Sequence, residues 1–124
     1  MAAEMNPVNW FEIPTTDLER ATSFYETALG ISLSPMEMAP LKMAWFPMTQ
    51  GAAGATGALV QGEGYAPSAS GTLVFIHVDD IDATLARIAA NGGKTLVPKT
   101  DIGEYGSFAH FEDTEGNRVA LHSD

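Results

Sequence analysis

The sequence predicts an α+β fold built from two βαβββ modules. Three observations carry that prediction: a pattern that occurs twice, an acidic helix start in each copy, and three strand-like stretches after each helix. The first copy runs Val8-Asn9-Trp10-Phe11-Glu12-Ile13, then Thr16-Asp17-Leu18-Glu19-Arg20-Ala21, then Gly30. The second runs Thr72-Leu73-Val74-Phe75-Ile76-His77-Val78, then Asp79-Asp80-Ile81-Asp82-Ala83, then Gly93. Setting Asp17 on Asp80 also sets Gly30 on Gly93.

The first helix has a start signal, because Thr16 followed three residues later by Glu19 has the form of a capping box. Leu18, Ala21, Tyr25 and Ala28 then recur at helical spacing, with Phe24 and Leu29 widening the apolar stripe. Gly30 suits a left-handed C-terminal cap. The second helix starts at Asp79 or Asp80, where a carboxylate meets the positive helix end. Ile81, Leu85, Ile88 and Ala89 form its stripe, and Asn91-Gly92-Gly93 ends it.

Strands are expected at roughly 31–36, 42–48 and 57–61 in the first module, and at 94–97, 106–112 and 117–122 in the second. Asp113-Thr114-Glu115-Gly116 has the composition of a hairpin turn between the last two. A Gly-, Pro- and Ser-containing stretch, 62–71, links modules of about 6–61 and 72–122. The length, 124 residues, suits a single domain.

Composition excludes several function classes. Sixteen acidic residues against six basic ones give a net charge of −10. Phosphate backbones and anionic membrane surfaces would be repelled, so neither nucleic acid nor a membrane is an expected partner, and a neutral or cationic small ligand fits better. There is no cysteine, which excludes disulfides and thiolate chemistry and is compatible with a cytoplasmic location. Met1 to Met5 carry Glu4 and no basic residue, unlike a secretory signal, and no apolar run is long enough to span a bilayer.

Thr16-Asp17-Leu18-Glu19-Arg20-Ala21 with Phe24-Tyr25 and Leu29-Gly30, Val78-Asp79-Asp80-Ile81-Asp82-Ala83, and Phe111-Glu112-Asp113-Thr114-Glu115-Gly116-Asn117 together resemble the vicinal-oxygen-chelate superfamily, of the glyoxalase/bleomycin-resistance/dioxygenase type. The resemblance runs from Val8 to His122. It rests on caps and turns, so it reports architecture and not activity. It implies a glyoxalase-like half-barrel cup with the helices outside, a small-molecule cavity within, and a homodimer for a chain of this length. Metal-using members take His, Gln or Glu ligands from the first, fourth, fifth and eighth strands. The first, fifth and eighth positions carry over here to Trp10, Leu73 and Ala120, and the fourth leaves Ala58, Val60 and Gln61 open. Trp, Leu and Ala bind no metal, so no metal is expected at the family's site and no cofactor is expected. A relocated divalent ion would have Glu12, His77, His110 and His122 as ligands.

Alternation along strands assigns the walls of the cup. Val74, Ile76 and Val78 suit the helix side, leaving Leu73, Phe75 and His77 toward the cavity. Phe11 and Ile13 pack under the helix, leaving Trp10 and Glu12 inside. Val119 and Leu121 are buried, leaving Arg118, Ala120 and His122 inside. If Glu112 pairs with Arg118, His110 lies opposite Ala120 and Phe108 opposite His122; a one-residue slip would reverse this. The candidate ligand-binding residues are therefore Trp10, Phe75, His77, Phe108 and His122, and the candidate catalytic residues are Glu12 and His110. Set among Trp10, Phe11 and Ile13, Glu12 is expected to be desolvated with a raised pKa, as a general base or the partner of a cation. A structural hydrogen bond is its alternative. His77 and His122, at strand ends, equally suit water-satisfied positions.

Weaker patterns have plainer readings. Met36, Met38, Met43 and Met48 lie near Trp45 and Phe46 as core filling, a dimer seam or an adaptable ligand wall. Residues 51–57 read as a mobile loop without a phosphate-loop lysine. Tyr65 and Tyr105 sit in Gly-flanked loops that could close over a ligand. Asp79, Asp80 and Asp82 suit a helix start. Asp113, Glu115 and Asn117 resemble a calcium loop that fails at Arg118 and Asp124.

The expected function is small-molecule binding by a glyoxalase-related protein without the usual metal site. The alternatives are a lyase or isomerase in which Glu12 and His110 move protons, and a protein-association module acting through its dimer face.

Overall fold

The computed structural model describes residues 6–124, so the reading of Met1 to Met5 lies outside the described residues. The first module comprises β1 (Trp10–Pro14), α1 (Leu18–Leu29), β2 (Ser34–Met38), β3 (Leu41–Trp45) and β4 (Thr56–Gln61). The second comprises β5 (Phe75–His77), α2 (Ile81–Ala90), β6 (Lys94–Asp101), β7 (Ser107–Glu112) and β8 (Arg118–Ser123), with a short 3-10 turn at Gly103–Tyr105. Each module folds into its own four-stranded sheet, ordered β1-β4-β3-β2 and β5-β8-β7-β6, and neither closes into a barrel. The first strand of each module runs parallel to its last, and the other neighbours are antiparallel.

The two helix starts repeat in detail. Asp17 and Asp80, aligned in the sequence repeat, are the two N-caps, with φ/ψ of −137/97° and −137/101°. Each side chain accepts from the backbone N–H three residues on, Arg20 and Ala83. The expected Thr16–Glu19 box does not form. The Glu115 carboxylate arrives from the β7–β8 turn and takes both the Thr16 hydroxyl and its backbone N–H.

The aligned glycines differ. Gly30 takes the left-handed cap at φ 67°. Gly93 lies past an Asn91 cap and serves packing, since a Cβ there would come within 2.7 Å of both Glu112 O and Ile88. On α2, Ala89 is exposed; Thr84 takes the buried place, its hydroxyl donating to Asp80 O.

Strand limits shift in places. β2 begins at Ser34, after the C-cap turn in which Gly30 and Ile31 both donate to Glu26 O. β6 runs on past residue 97 through two register shifts, one on either side of Val97, with Pro98 lacking a donor between Val97 and Thr100.

One core joins both modules. It takes the helix-facing residues of the first sheet, Ile13, Ala44 and Leu59, with Phe46 just past β3, and those of the second, Ala109, Phe111, Val119 and Leu121, around the stripes of both helices. Phe24 and Tyr25 of α1 contact the ring of Phe111, and Tyr25 also meets Phe46, so one helix ties the two sheets together. Ile76 and Val78 pack on this core and Phe75 faces away, as alternation predicts.

Candidate functional site

Register fixes which side chains lie on the sheet faces turned away from the helices. In the first sheet Trp10 lies beside Thr56, Glu12 beside Ala58, Trp45 beside Ala58 and Met43 beside Val60. These residues build a second apolar cluster: Met43, Ala58 and Val60 are buried, and Trp10, Leu41, Trp45 and Tyr65 pack against them. The Trp10 and Trp45 rings meet edge to face at 5.3 Å, a geometry favoured by the aromatic quadrupole. The indole Nε1 of Trp45 is buried and has no hydrogen-bond partner among the described residues.

Glu12 is the charged group of this face. It accepts from Trp10 Nε1 at 3.2 Å and from the Tyr65 hydroxyl at 3.0 Å, one donor to each oxygen. The hydrogen bond to Glu12, then its charge, raises the pKa of Tyr65. Contrary to expectation Glu12 is exposed. β1 is a sheet edge, so no further strand covers its outward side chain, and the apolar neighbours Phe11 and Ile13 turn to the other face.

The second sheet presents aromatic rings and imidazoles. The β7–β8 hairpin pairs Glu112 with Arg118, His110 with Ala120 and Phe108 with His122, the register the sequence reading set against a one-residue slip. β5 adds Phe75 beside Ala120 and His77 beside His122. His110 lies 6.1 Å from Phe75 and 5.4 Å from Phe108, centroid to centroid. Arg118 Nη1 donates to His110 Nδ1 at 3.0 Å, which puts the imidazole proton on Nε2. Desolvation first, and the Arg118 charge second, lower the pKa of His110. His122 Nε2 donates to Tyr105 O at 2.6 Å, and His77 Nε2 is 3.7 Å from Asp79.

The sequence-predicted site residues lie along different clefts. Trp10 lines a cleft of about 600 Å³ with the 47–56 loop. Phe75 and His77 line one of about 610 Å³ between the modules, with Phe11, Phe46 and the start of α2. Glu12 and Arg118 share a smaller cleft of about 190 Å³ at the module seam. Phe108, His110 and His122 are absent from the walls of these three. Sequence reasoning placed Arg118 inward without giving it a role, and it passed over Trp45 as a partner of Trp10. Alternation in β3 against Met43 was the available signal for Trp45.

The metal positions implied by the resemblance do not fit an ion. Ala120 lies beside Phe75, and Trp10 lies beside Thr56. Gln61, one of the open choices on the fourth strand, spends its side-chain oxygen on Leu18 N at the start of α1. The indole, isobutyl and methyl side chains of Trp10, Leu73 and Ala120 donate no lone pair to a metal. Among the described residues no three of His, Cys, Asp and Glu converge on one point.

A family model described as Glyoxalase/Bleomycin resistance protein/Dioxygenase superfamily matches residues 8–121. A glyoxylase-like domain-containing protein of Didymella fabae is 32% identical over 123 residues, covering 92% of this chain and 91% of its own. A glyoxalase/bleomycin resistance protein of Albidiferax ferrireducens superposes with a TM-score of 0.74 at 18% identity, covering 96% of this chain and 99% of its own. TnmS3, an antibiotic binding protein of Streptomyces sp. CB03234, superposes at 0.65 with 24% identity and 96% coverage of both chains.

Proposed function

Since the chain belongs to the glyoxalase/bleomycin resistance protein/dioxygenase superfamily, we propose that it binds a small organic molecule on the outward face of its first sheet, without a metal at the family's site. The carrying observation is that face itself. Two edge-to-face tryptophans and a buried methionine form an apolar wall beside one exposed carboxylate. Apolar walls with few placed polar groups are the usual form of ligand sites. A carboxylate flanked by aromatic rings favours a ligand that is flat and cationic, and the net charge of −10 favours its approach. The antibiotic-binding neighbour TnmS3 lends the fold as a precedent for binding.

A homodimer is part of the same proposal. Met36 and Met38 are exposed on the edge strand β2, and a second copy would cover them. Proton transfer by Glu12 and His110 has no comparable support, because the two residues share no cleft and Arg118 occupies Nδ1 of His110.

The test is titration with flat aromatic cations, such as an acridinium dye, read by Trp fluorescence and thermal shift. Saturable binding that weakens about tenfold in Trp10→Ala and in Glu12→Gln supports the reading. Absence of binding by any aromatic cation, or binding indifferent to Trp10, overturns it.

A further inference from the structure

We propose that the seam between the modules is a subsite for the carboxylate of a zwitterionic ligand, with Arg118 holding the carboxylate and Glu12 the cationic end. The inference rests on the outward face being a ligand site and adds the class of ligand that it takes.

Glu12 from β1 and Arg118 from β8 line one cleft of about 190 Å³, together with Ser68, Ser70, Thr72 and Asn117. Opposite charges that line one small cleft commonly close into an ion pair. Here they do not: among the described residues no carboxylate lies within 4.0 Å of Arg118. Glu112, directly opposite Arg118 in the hairpin, does not pair with it either. In a chain with sixteen acidic residues and six basic ones, a half-buried guanidinium without a counter-ion goes against the composition.

The protein group that engages the guanidinium side chain is His110, through Nη1. A neutral imidazole orients the fork and leaves its charge uncompensated, with Nε and Nη2 unused among the described residues. The planar fork of arginine matches a carboxylate with two parallel hydrogen bonds. Across the cleft Glu12 is held by Trp10 and Tyr65, donors that orient it without neutralising it. The gap has room for roughly six waters at about 30 Å³ each, or for the dipolar end of a small metabolite. An aromatic amino acid combines that end with a ring for the Trp10–Trp45 wall.

The experiment compares three probes by calorimetry on the full chain: phenylalanine, phenethylamine, which lacks the carboxylate, and 3-phenylpropionate, which lacks the amine. Phenylalanine is expected to bind at least tenfold more tightly than phenethylamine. Arg118→Gln should abolish that preference by weakening phenylalanine, and should not weaken phenethylamine, which gives Arg118 no carboxylate to hold. Arg118→Lys should retain part of the preference, and it serves as the folded variant if the glutamine form does not fold. Equal binding of phenylalanine and phenethylamine, or a preference that survives Arg118→Gln, overturns the subsite and leaves the aromatic-cation reading standing. Failure of phenylalanine to bind a protein that still takes the acridinium dye also overturns the subsite. Loss of dye binding as well overturns the underlying reading.

Discussion

The Glu115 carboxylate, carried on the β7–β8 turn of the second module, lies 2.7 Å from Arg20 Nε at the start of α1 in the first. Its side chain is fully buried although Arg20 is half exposed. It also accepts from the backbone N–H groups of Thr16 and Asp17. One carboxylate therefore satisfies the start of a helix 95 residues away in sequence and ties the modules together. Glu115→Ala leaves those donors without their acceptor, and a loss of about 2–4 kcal/mol is expected. Chemical denaturation of the variant against wild type measures it.

Stability should depend on pH through the same residue. Burial pushes the Glu115 carboxyl up, but the hydrogen bonds from Arg20, from Asp17 and Thr16 N–H and from the Thr114 hydroxyl outweigh it and bring its pKa to about 2 from an ordinary 4.5. The folded value is the lower one, so the unfolded chain takes up the proton first. The contribution is fully present above about pH 4.5 and is lost as pH falls toward about 2. Unfolding free energies of wild type and Glu115→Gln measured from pH 6 to pH 2.5 should therefore converge on the acid side. A constant gap would show that the ionised carboxylate is not the stabilising species.

Much of this architecture was legible because local chemistry and the long-range fold agree. Asp80, one of the two starts open for the second helix, is its N-cap, Asp17 caps the first helix one residue past the expected Thr16, and the β7–β8 register is the one of the two alternation allowed that pairs Glu112 with Arg118. The capping box at Thr16 and Glu19 was misread because its acceptor comes from Glu115, a contact that no local pattern encodes. The walls of the site were half legible. Alternation placed Trp10, Glu12, Phe75 and Arg118 on the outward faces, but it carries no information on how one sheet sits against the other, so it could not divide them among clefts. The burial expected for Glu12 failed for the same reason: neighbours in sequence do not report the neighbours across an open edge.

Gly57 is a packing constraint that the repeat does not announce. It lies beside Phe11 in the β1–β4 pair, and a Cβ there would overlap Phe11 O and come 2.7 Å from the Phe11 ring. A backbone oxygen cannot move aside without breaking the parallel ladder that positions Trp10 and Glu12. Gly57→Ala should cost about 1–3 kcal/mol as an overpacking substitution and should shift the Trp emission maximum. Retention of wild-type melting and emission would mean that β1 tolerates displacement.

Tyr25 makes a sharper test of the join between the modules. It is completely buried on α1 and donates to Asp113 Oδ2 at 2.7 Å, a carboxylate that also takes the N–H groups of Glu115 and Asn117 through Oδ1. Burial above all, then the charge and hydrogen bond of Asp113, raise the phenol pKa well above 10. Tyr25→Phe keeps the ring between Phe46 and Phe111 and removes only the donor. A charge-assisted bond in this setting is worth about 1.5–3 kcal/mol, so denaturation should report a loss of that size. In wild type the alkaline titration followed at 295 nm should leave one phenol unionised until the protein unfolds. If that phenol is Tyr25, the variant should titrate to completion while still folded.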